Sequence, residues 1–399
     1  MFTTRLRFLT AGESHGPSLT GILEGIPAGL RLDEATLARD LARRQQGFGA
    51  GARMQMEQDR ARITGGVLAG FTTGGPIALV IDNVDHANWA QRDIAPMTTP
   101  RPGHADLTGA LKYGHRDLRL ALERASARET AMRVAIGACC RTLLAEFGIT
   151  IGGYVTRIGD VACELGDPPV EPDVFVDRFA AAETSDVRCP DANAAARMHE
   201  AIAAIIRERD TLGGVVECAA LHVPPGLGSF VQLDRRLDAR LAGAVMSIHA
   251  VKGVEIGLGF AGTQRRGTAS HDAIELDGDE LLRPSNRAGG LEGGISNGAP
   301  IVVRAAVKAI ATTLTPQRSV DLATGQPADT KYERSDFCQV PRAVPIVEAM
   351  LAIELADALL EKLGGDSIDE MRPRLHALRQ ARVSQLPMDG APWRFGYGS

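Results

Sequence analysis

The chain has 399 residues, and 44 basic against 49 acidic side chains give a formal net charge of −5. That balance excludes the bulk positive charge of a general nucleic-acid binder, and no apolar run reaches the ~18–20 uncharged residues of a membrane-spanning helix. The basic set is 39 Arg to 5 Lys; Arg grips carboxylate and phosphate in a two-pronged fork, although coding bias on solvated surfaces gives the same excess.

In chain order, residues 19–26 read as a strand entering the turn Pro27-Ala28-Gly29. Asp33 caps a helix to Gln46, with Leu37 and Leu41 one turn apart and Gly47 as the stop. Residues 62–67 and 76–81 read as strands joined by Thr72-Thr73-Gly74-Gly75. A long helix is predicted over 118–147, with Met132, Ile136, Cys139 and Leu143 on one face and Gly148 ending it. Further helices are predicted over 191–210, 234–249, 344–364 and 366–380, with Asp191, Asp234 and Ser367 as N-caps. Pro373 either kinks the last of these or marks its start. Strands are predicted over 214–223, 254–260 and 300–310. Residues 160–190 and 262–285 read as surface excursions, and 387–399, with Trp393, Phe395 and Tyr397, as a docking tail.

Length allows two or three domains or one large one, and no linker or repeat divides the chain. Strand pairs beside helices give an α+β class with antiparallel pairing. Arg5, Arg7 and Glu13 break the start of the chain, so it does not read as a signal peptide; a soluble, cytoplasmic protein is expected. The six cysteines form no C-x-x-C pair and no zinc spacing, and are expected to be reduced and mostly buried, with Cys338 the one to watch as a thiol.

Five segments carry Gly, His, Arg and Ser where a core would place Val and Leu. Gly12-Glu13-Ser14-His15-Gly16-Pro17 puts a proton carrier between glycines that permit close ligand approach, though a solvated turn has the same composition. Arg43-Arg44 runs into Gly47-Phe48-Gly49-Ala50-Gly51-Ala52-Arg53, an anion-binding loop or a helix C-cap; it follows a helix and so does not fit a dinucleotide fingerprint. Arg101-Pro102-Gly103-His104-Ala105-Asp106 precedes Arg124 and Arg128, predicted on one helix face with an anion between them, or else paired with Glu123 and Glu129. Residues 285–298, with Gly289, Gly290, Gly293 and Gly294, suit a loop whose N–H groups face a phosphate or a flat ring, or a flexible loop. Glu333-Arg334-Ser335-Asp336 is a polarised site or an ordinary ion pair. Together they describe an enzyme acting on a small, multiply anionic, phosphorylated substrate, with one or two histidines as proton carriers.

The strings GESHGPSLTGILEGIPAGL, RPGHADLTGALKYGHRDLR with LERASARETAMRVA, SIHAVKGVEIGLGF, NRAGGLEGGISNG and ERSDFC-VP, in order from residue 12 to 341, closely resemble the chorismate synthase family. The resemblance implies a lyase of aromatic amino acid biosynthesis that converts 5-enolpyruvylshikimate 3-phosphate to chorismate and phosphate by a 1,4-elimination. It implies reduced FMN (FMNH2) without net oxidation. It implies a single large domain built as a β-α-β sandwich of two antiparallel sheets flanked by helices, and a homotetramer. The alternative reading is an NADPH-dependent flavin reductase, alone or alongside the lyase; a lyase without it would draw on a separate flavin reductase.

The resemblance also assigns residues. His15 matches the histidine that protonates the departing phosphate, His104 the one that acts on the reduced flavin, and Asp336 the aspartate that assists proton transfer at flavin N5. Arg124, Ala125, Ser126, His249, Ala250, Gly293, Lys308, Ala309, Ile310, Ala311, Thr312 and Arg334 match flavin contacts. Arg44, Arg53, Arg128 and Arg334 are expected to hold the substrate's phosphate and carboxylates, and Arg44 is also linked to NADPH. No metal is implied. Three positions depart from the family: Ala50 replaces an Arg linked to NADPH, Ala309 replaces a Pro, and His249 replaces Gln or Asn, most simply as a hydrogen-bonding stand-in.

Overall fold

Alternating apolar residues build the first sheet. In β2 (Ser18–Glu24), Leu19, Gly21 and Leu23 point inward, and in β4 (Ile77–Asp82), Ile77, Leu79 and Ile81 do the same. With β1 (Arg7–Ala11) and β3 (Ala61–Gly65) they form a sheet of order β1-β2-β4-β3, antiparallel throughout. The computed structural model describes residues 5–50, 58–333, 335–392 and 396; Trp393, Phe395 and Tyr397 of the expected tail lie outside them.

The second sheet carries near-continuous apolar runs, because it is covered on both faces. Its order is β8-β9-β7-β5-β6, from β8 (Val251–Ile256), β9 (Ile301–Val307), β7 (Gly214–Leu221), β5 (Thr150–Ile158) and β6 (Val161–Ala162), again antiparallel. One face meets the long helix Val340–Leu363. The other meets the helix Pro172–Thr184 through fully buried Tyr154, Phe175, Ala182 and Ala219. The segment 160–190 is therefore not simply a surface excursion: a helix inside it, begun by Pro172 at its first position, closes a satellite core.

Among the described residues, further helices complete the frame: α1 (Glu34–Gln45), α2 (His86–Trp89), α3 (Asp106–Tyr113), α4 (Arg119–Ala125), α5 (Thr130–Glu146), α7 (Ala192–Glu208), α8 (Leu237–Met246) and α10 (Ile368–His376), with Pro172–Thr184 as α6 and Val340–Leu363 as α9, besides a single helical turn at Gly267–Ser270. Asp33, Asp191 and Ser367 cap α1, α7 and α10 as expected. Asp234 does not cap α8; it sits in a 3-10 turn, and Arg236 precedes the helix. α9 begins at Val340 rather than 344, since Pro341 falls in the first turn, where a missing N–H costs nothing. Pro373 lies inside α10 and does not start it. α2 and α3, of four and eight residues, are too short for a sequence pattern to reveal and were not predicted.

α5 packs against β2 and β4 on one side and α9 on the other. The crossing is close: a Cβ at Gly137 would lie 2.4 Å from the Ala349 Cβ, and one at Gly21 would lie 2.5 Å from the Met132 Sδ. α9 buries three acids, each paired. Glu348 accepts from Arg43 at 2.5 and 2.8 Å and from Arg141 at 2.8 Å. Fully buried Arg240 holds Glu354 and Asp357, and Asp357 also accepts the Arg5 and Leu6 N–H groups at 2.7 Å, pinning the chain start to the core.

The predicted 118–147 helix is two helices. Its apolar periodicity continues through the break, but Ser126 turns extended (φ −68°, ψ 142°) and a 3-10 turn over Ala127–Glu129 intervenes. That break sets the site.

Candidate active site

The break aims α4 at the β1–β2 loop. Ser14 donates its N–H to the Glu123 carbonyl at 3.1 Å, and the Glu123 carboxylate receives the His15 N–H at 2.8 Å and approaches His15 Nδ1 at 2.7 Å. A carboxylate only accepts, so Nδ1 carries the proton and Nε2 is left as the working nitrogen. Burial works to raise the Glu123 carboxyl, but the hydrogen bonds from His15 outweigh it and hold it below the ordinary range. Asn83 fixes the same loop by donating to Gly16 O at 2.7 Å and Glu13 O at 3.3 Å. The His15 ring lies on Trp89, centroids 4.1 Å apart, and Trp89 is itself held by Asp85.

A second pair has the same form. His104 Nδ1 lies 2.6 Å from Oδ1 of Asp106, which is fully buried at the start of α3. Arg101 donates to Asp106 from Nε at 2.8 Å, Nη2 at 3.0 Å and its backbone N–H at 3.1 Å, and from Nη1 to Thr312 Oγ1 at 2.9 Å. Burial opposes the Asp106 charge; the bonds from His104 and Arg101 prevail and keep its carboxyl well below the usual range.

Both histidines line one cavity of ≈ 1010 Å³ with Arg44, Arg92, Arg101, Arg128, Arg342, Lys252 and Lys308, against three acids among the described residues, Asp85, Glu333 and Asp336. Arg44 is turned inward, donating to Thr130 Oγ1 and the Ala127 carbonyl, while its Nη1 lies 3.5 Å from Asp59 Oδ2. Burial, with Arg342 beside it, pushes Arg44 down to about 10, still a cation at neutral pH. Arg342 donates to the Arg44 carbonyl at 3.1 Å and pairs with Asp336, tying three site segments together. Ser126 Oγ donates to Ser14 Oγ at 3.2 Å.

Arg124 and Arg128 do not share a face, because the break separates them. Arg128 donates to Asp59 at 2.6 and 2.8 Å and to Asn83 at 2.7 and 2.9 Å, whereas Arg124 reaches the carbonyls of Thr10 and Gly12. Nor do these arginines pair with Glu123 and Glu129: Glu123 holds His15, and Glu129 holds Thr10 and Arg133. His249 lines the cavity with Nδ1 3.9 Å from Glu129 and unbonded, and burial lowers its pKa.

Of the expected site residues, His15, His104, Asp336, Arg44, Ala125, Ser126, Arg128, His249, Ala250, Lys308, Ile310, Ala311 and Thr312 line this cavity. Arg124, Ala309 and Gly293 do not; Arg53 and Arg334 lie outside the described residues. The stretch 285–298 is absent from the wall. Two of its glycines serve close packing: a Cβ at Gly289 would lie 2.4 Å from the Gly257 N, and one at Gly290 2.6 Å from the Pro300 O. Gly293 sits at a hairpin turn facing open space. Cys338 is fully buried and its thiol is pushed up to about 12, so it is no nucleophile. Glu123, Trp89 and Arg342 were not anticipated. Asp106 had a local signal, two residues beyond a histidine; the others had none.

A second, smaller cavity of ≈ 380 Å³ lies at Ala50, lined by Gln45, Gly47, Phe48, Gly49, Ile206 and Phe337, with no basic side chain among these residues. Among the described residues, no helix is long and apolar enough to cross a membrane.

A family model described as chorismate synthase matches residues 6–360. The chain is 54% identical over 385 residues to a protein named chorismate synthase from Trichlorobacter lovleyi, covering 92% of this chain and 97% of that one. It is 51% identical over 382 residues to one from Aquifex aeolicus, covering 92% and 96%. A crystal structure of a chorismate synthase superposes with a TM-score of 0.78 at 46% identity, over 94% of this chain and 97% of that one. The chain belongs to the chorismate synthase family.

Proposed function

We propose that the cavity between His15 and His104 is where this family member performs its reaction. The protein is a lyase of aromatic amino acid biosynthesis: it converts 5-enolpyruvylshikimate 3-phosphate to chorismate and phosphate. The observation that carries the site assignment is the pair of histidine–carboxylate contacts, at 2.7 and 2.6 Å, facing one cation-rich cavity.

The family uses reduced flavin, and the wall fits one. The cavity exceeds what a single small ligand needs, and the buried His249 Nδ1 makes no hydrogen bond among the described residues. Ala125-Ser126, His249-Ala250, Lys308 and residues 310–312 would hold FMN, with Ala309 acting through its backbone. Arg124 braces that wall from behind through Thr10 and Gly12; Gly293 and Arg334 are flavin contacts by resemblance. Reduced FMN, when bound, lends electron density to C–O cleavage and recovers it at the end.

The protein's own part is positional and protonic. Arg44 and Arg342, with Arg53, Arg128 and Arg334, gather the substrate's anions, so that charge leaving with phosphate develops among fixed guanidiniums. The phosphate departs with the C–O electron pair, and the His15 Nε2–H protonates it while Glu123 keeps the Nδ1 proton in place. The ring C–H pair becomes the new double bond. Asp336, steered by Arg342, assists removal of that hydrogen as a proton, and His104, held by Asp106, presents Nε2 to the flavin. Trp89 roofs His15 against water.

Among the described residues of the wall near Ala50 none is basic, which supports a separate reductase as the source of reduced flavin over NADPH bound here. One core runs through both sheets, which supports one domain and the family's β-α-β sandwich. Exposed Leu9, Leu111 and Phe260, each at least 76% accessible, supply apolar surface for a homotetramer. A cytoplasmic location follows from the pathway.

The test is anaerobic: the protein with phosphorylated substrate and dithionite-reduced FMN releases phosphate and forms chorismate, and NADPH adds nothing. No phosphate release with reduced FMN rejects the reading; NADPH consumption in air restores the reductase alternative.

A further inference from the structure

The loop that carries His15 is held from two sides. On one side Glu123 takes the N–H groups of Ser14 and His15. On the other, three consecutive carbonyls accept from the turn between β4 and α2. His86 Nδ1 reaches the His15 carbonyl at 2.9 Å, Asn83 Nδ2 the Gly16 carbonyl at 2.7 Å, and the Asn83 N–H the Pro17 carbonyl at 2.9 Å. A carbonyl only accepts, so the bonding proton of His86 sits on Nδ1.

α2 buries none of its four residues, so hydrophobic packing does not account for its place. Polar contacts do. Asp85 accepts from Asn88 Nδ2 at 2.9 Å and from Trp89 Nε1 at 3.1 Å, and the His86 N–H closes a turn on the Asn83 carbonyl at 3.1 Å. This one turn delivers two groups to His15: the Trp89 ring against its imidazole, and the His86 donor to its carbonyl. His86 is half-buried and is not among the described residues lining the cavity, so its route to the chemistry runs through His15. Glu123 holds the His15 N–H and Nδ1, and His86 holds the carbonyl. The peptide planes on both sides of the His15 Cα are thereby fixed, and with them the direction of the ring.

We propose that His86 is a positioning residue for the elimination: its Nδ1–H holds the His15 carbonyl and so aims the His15 ring into the cavity. This rests on the reading of His15 as the acid that meets the departing phosphate. A working group displaced by a fraction of an ångström loses rate rather than substrate affinity, so the contribution of His86 falls on kcat. It vanishes when there is no ring to aim.

The experiment is a double-mutant cycle: kcat and KM for the phosphorylated substrate, anaerobically with dithionite-reduced FMN, in wild type, His86→Leu, His86→Asn, His15→Ala and His15→Ala with His86→Leu. Leu keeps the bulk and removes the donor; Asn returns an N–H near the place of Nδ1. Melting temperatures confirm folding, and if His86→Leu melts far below wild type, His86→Ala takes its place in the cycle. His86→Leu should lower kcat about tenfold with KM within about twofold, and His86→Asn should restore most of the loss. In the His15→Ala background the loss should shrink to within about twofold, because the two residues act as one unit. Equal losses in both backgrounds, or a loss that Asn does not relieve, make His86 a structural turn residue and overturn the role; so does a wild-type kcat in His86→Leu. Wild-type turnover in His15→Ala is a separate failure, which removes His15 as the acid and the role of His86 with it.

Discussion

The Glu123 carboxylate holds His15 twice, through the backbone N–H at 2.8 Å and through Nδ1 at 2.7 Å, while the Glu123 carbonyl holds Ser14. One residue on α4 thus fixes two consecutive residues of the β1–β2 loop and the tautomer of the ring. Glu123→Gln keeps the size but can donate toward Nδ1, so it favours the wrong tautomer. The expected loss in turnover is roughly 10–100-fold, the usual range for an orienting partner of a working histidine, with flavin affinity unchanged. Turnover and a flavin titration on the same preparation check this; a fall in flavin affinity without a fall in turnover would contradict it.

Asp106 makes folding pH-dependent in a definite sense. Its folded pKa lies below the ordinary value of about 3.9. Such a group contributes stability that is fully present above the unfolded pKa and is lost as pH falls through the folded one. Wild type should lose melting temperature steeply below about pH 4. Asp106→Asn should be less stable at neutral pH and show a shallower acid slope, the remainder coming partly from Glu123, which is shifted the same way. Melting curves from pH 7 to 2 measure it, and parallel curves for the two proteins would contradict it.

Arg342 links Asp336 to the Arg44 carbonyl. Arg342→Lys retains a charge but lacks the fork that serves both partners. At about 1.5–3 kcal/mol for a bond to a charged group, kcat/KM should fall roughly 10–100-fold, with both kcat and KM affected because proton transfer and anion binding share the residue. Wild-type kcat and KM in this variant would exclude the linking role.

The helix crossing predicts a purely structural defect. Gly137→Val must push its side chain into the Ala349 backbone, since a Cβ alone would meet the Ala349 Cα at 2.6 Å. Overpacking of this kind costs typically 1–3 kcal/mol. Denaturant unfolding reads it, and an unchanged midpoint would show that the helices separate freely.

Local chemistry was legible and long-range chemistry was not. His15 and His104 stood out because each sits among glycines outside any apolar pattern, and Asp33, Asp191 and Ser367 announced their helices by their capping oxygens. The break at Ser126 was hidden, because Leu118, Leu122, Ala125, Met132 and Ile136 keep helical spacing across it. With the break unseen, Arg124 and Arg128 fell on one face, and Glu123 looked like a solvated partner instead of the clamp on His15. Gly289 and Gly290 of the 285–298 stretch also have a packing reason that the sequence does not reveal. Their absent side chains make room for Gly257 and Pro300, which come from other parts of the chain.

The most direct test of the site is turnover with chemically reduced FMN under anaerobic conditions, comparing wild type with His15→Ala and His104→Ala. Each variant should bind the phosphorylated substrate and release phosphate roughly 10²–10⁴-fold more slowly, the range of a lost general acid or base. Wild-type rates in both variants would contradict the assignment of this cavity as the place where the elimination occurs.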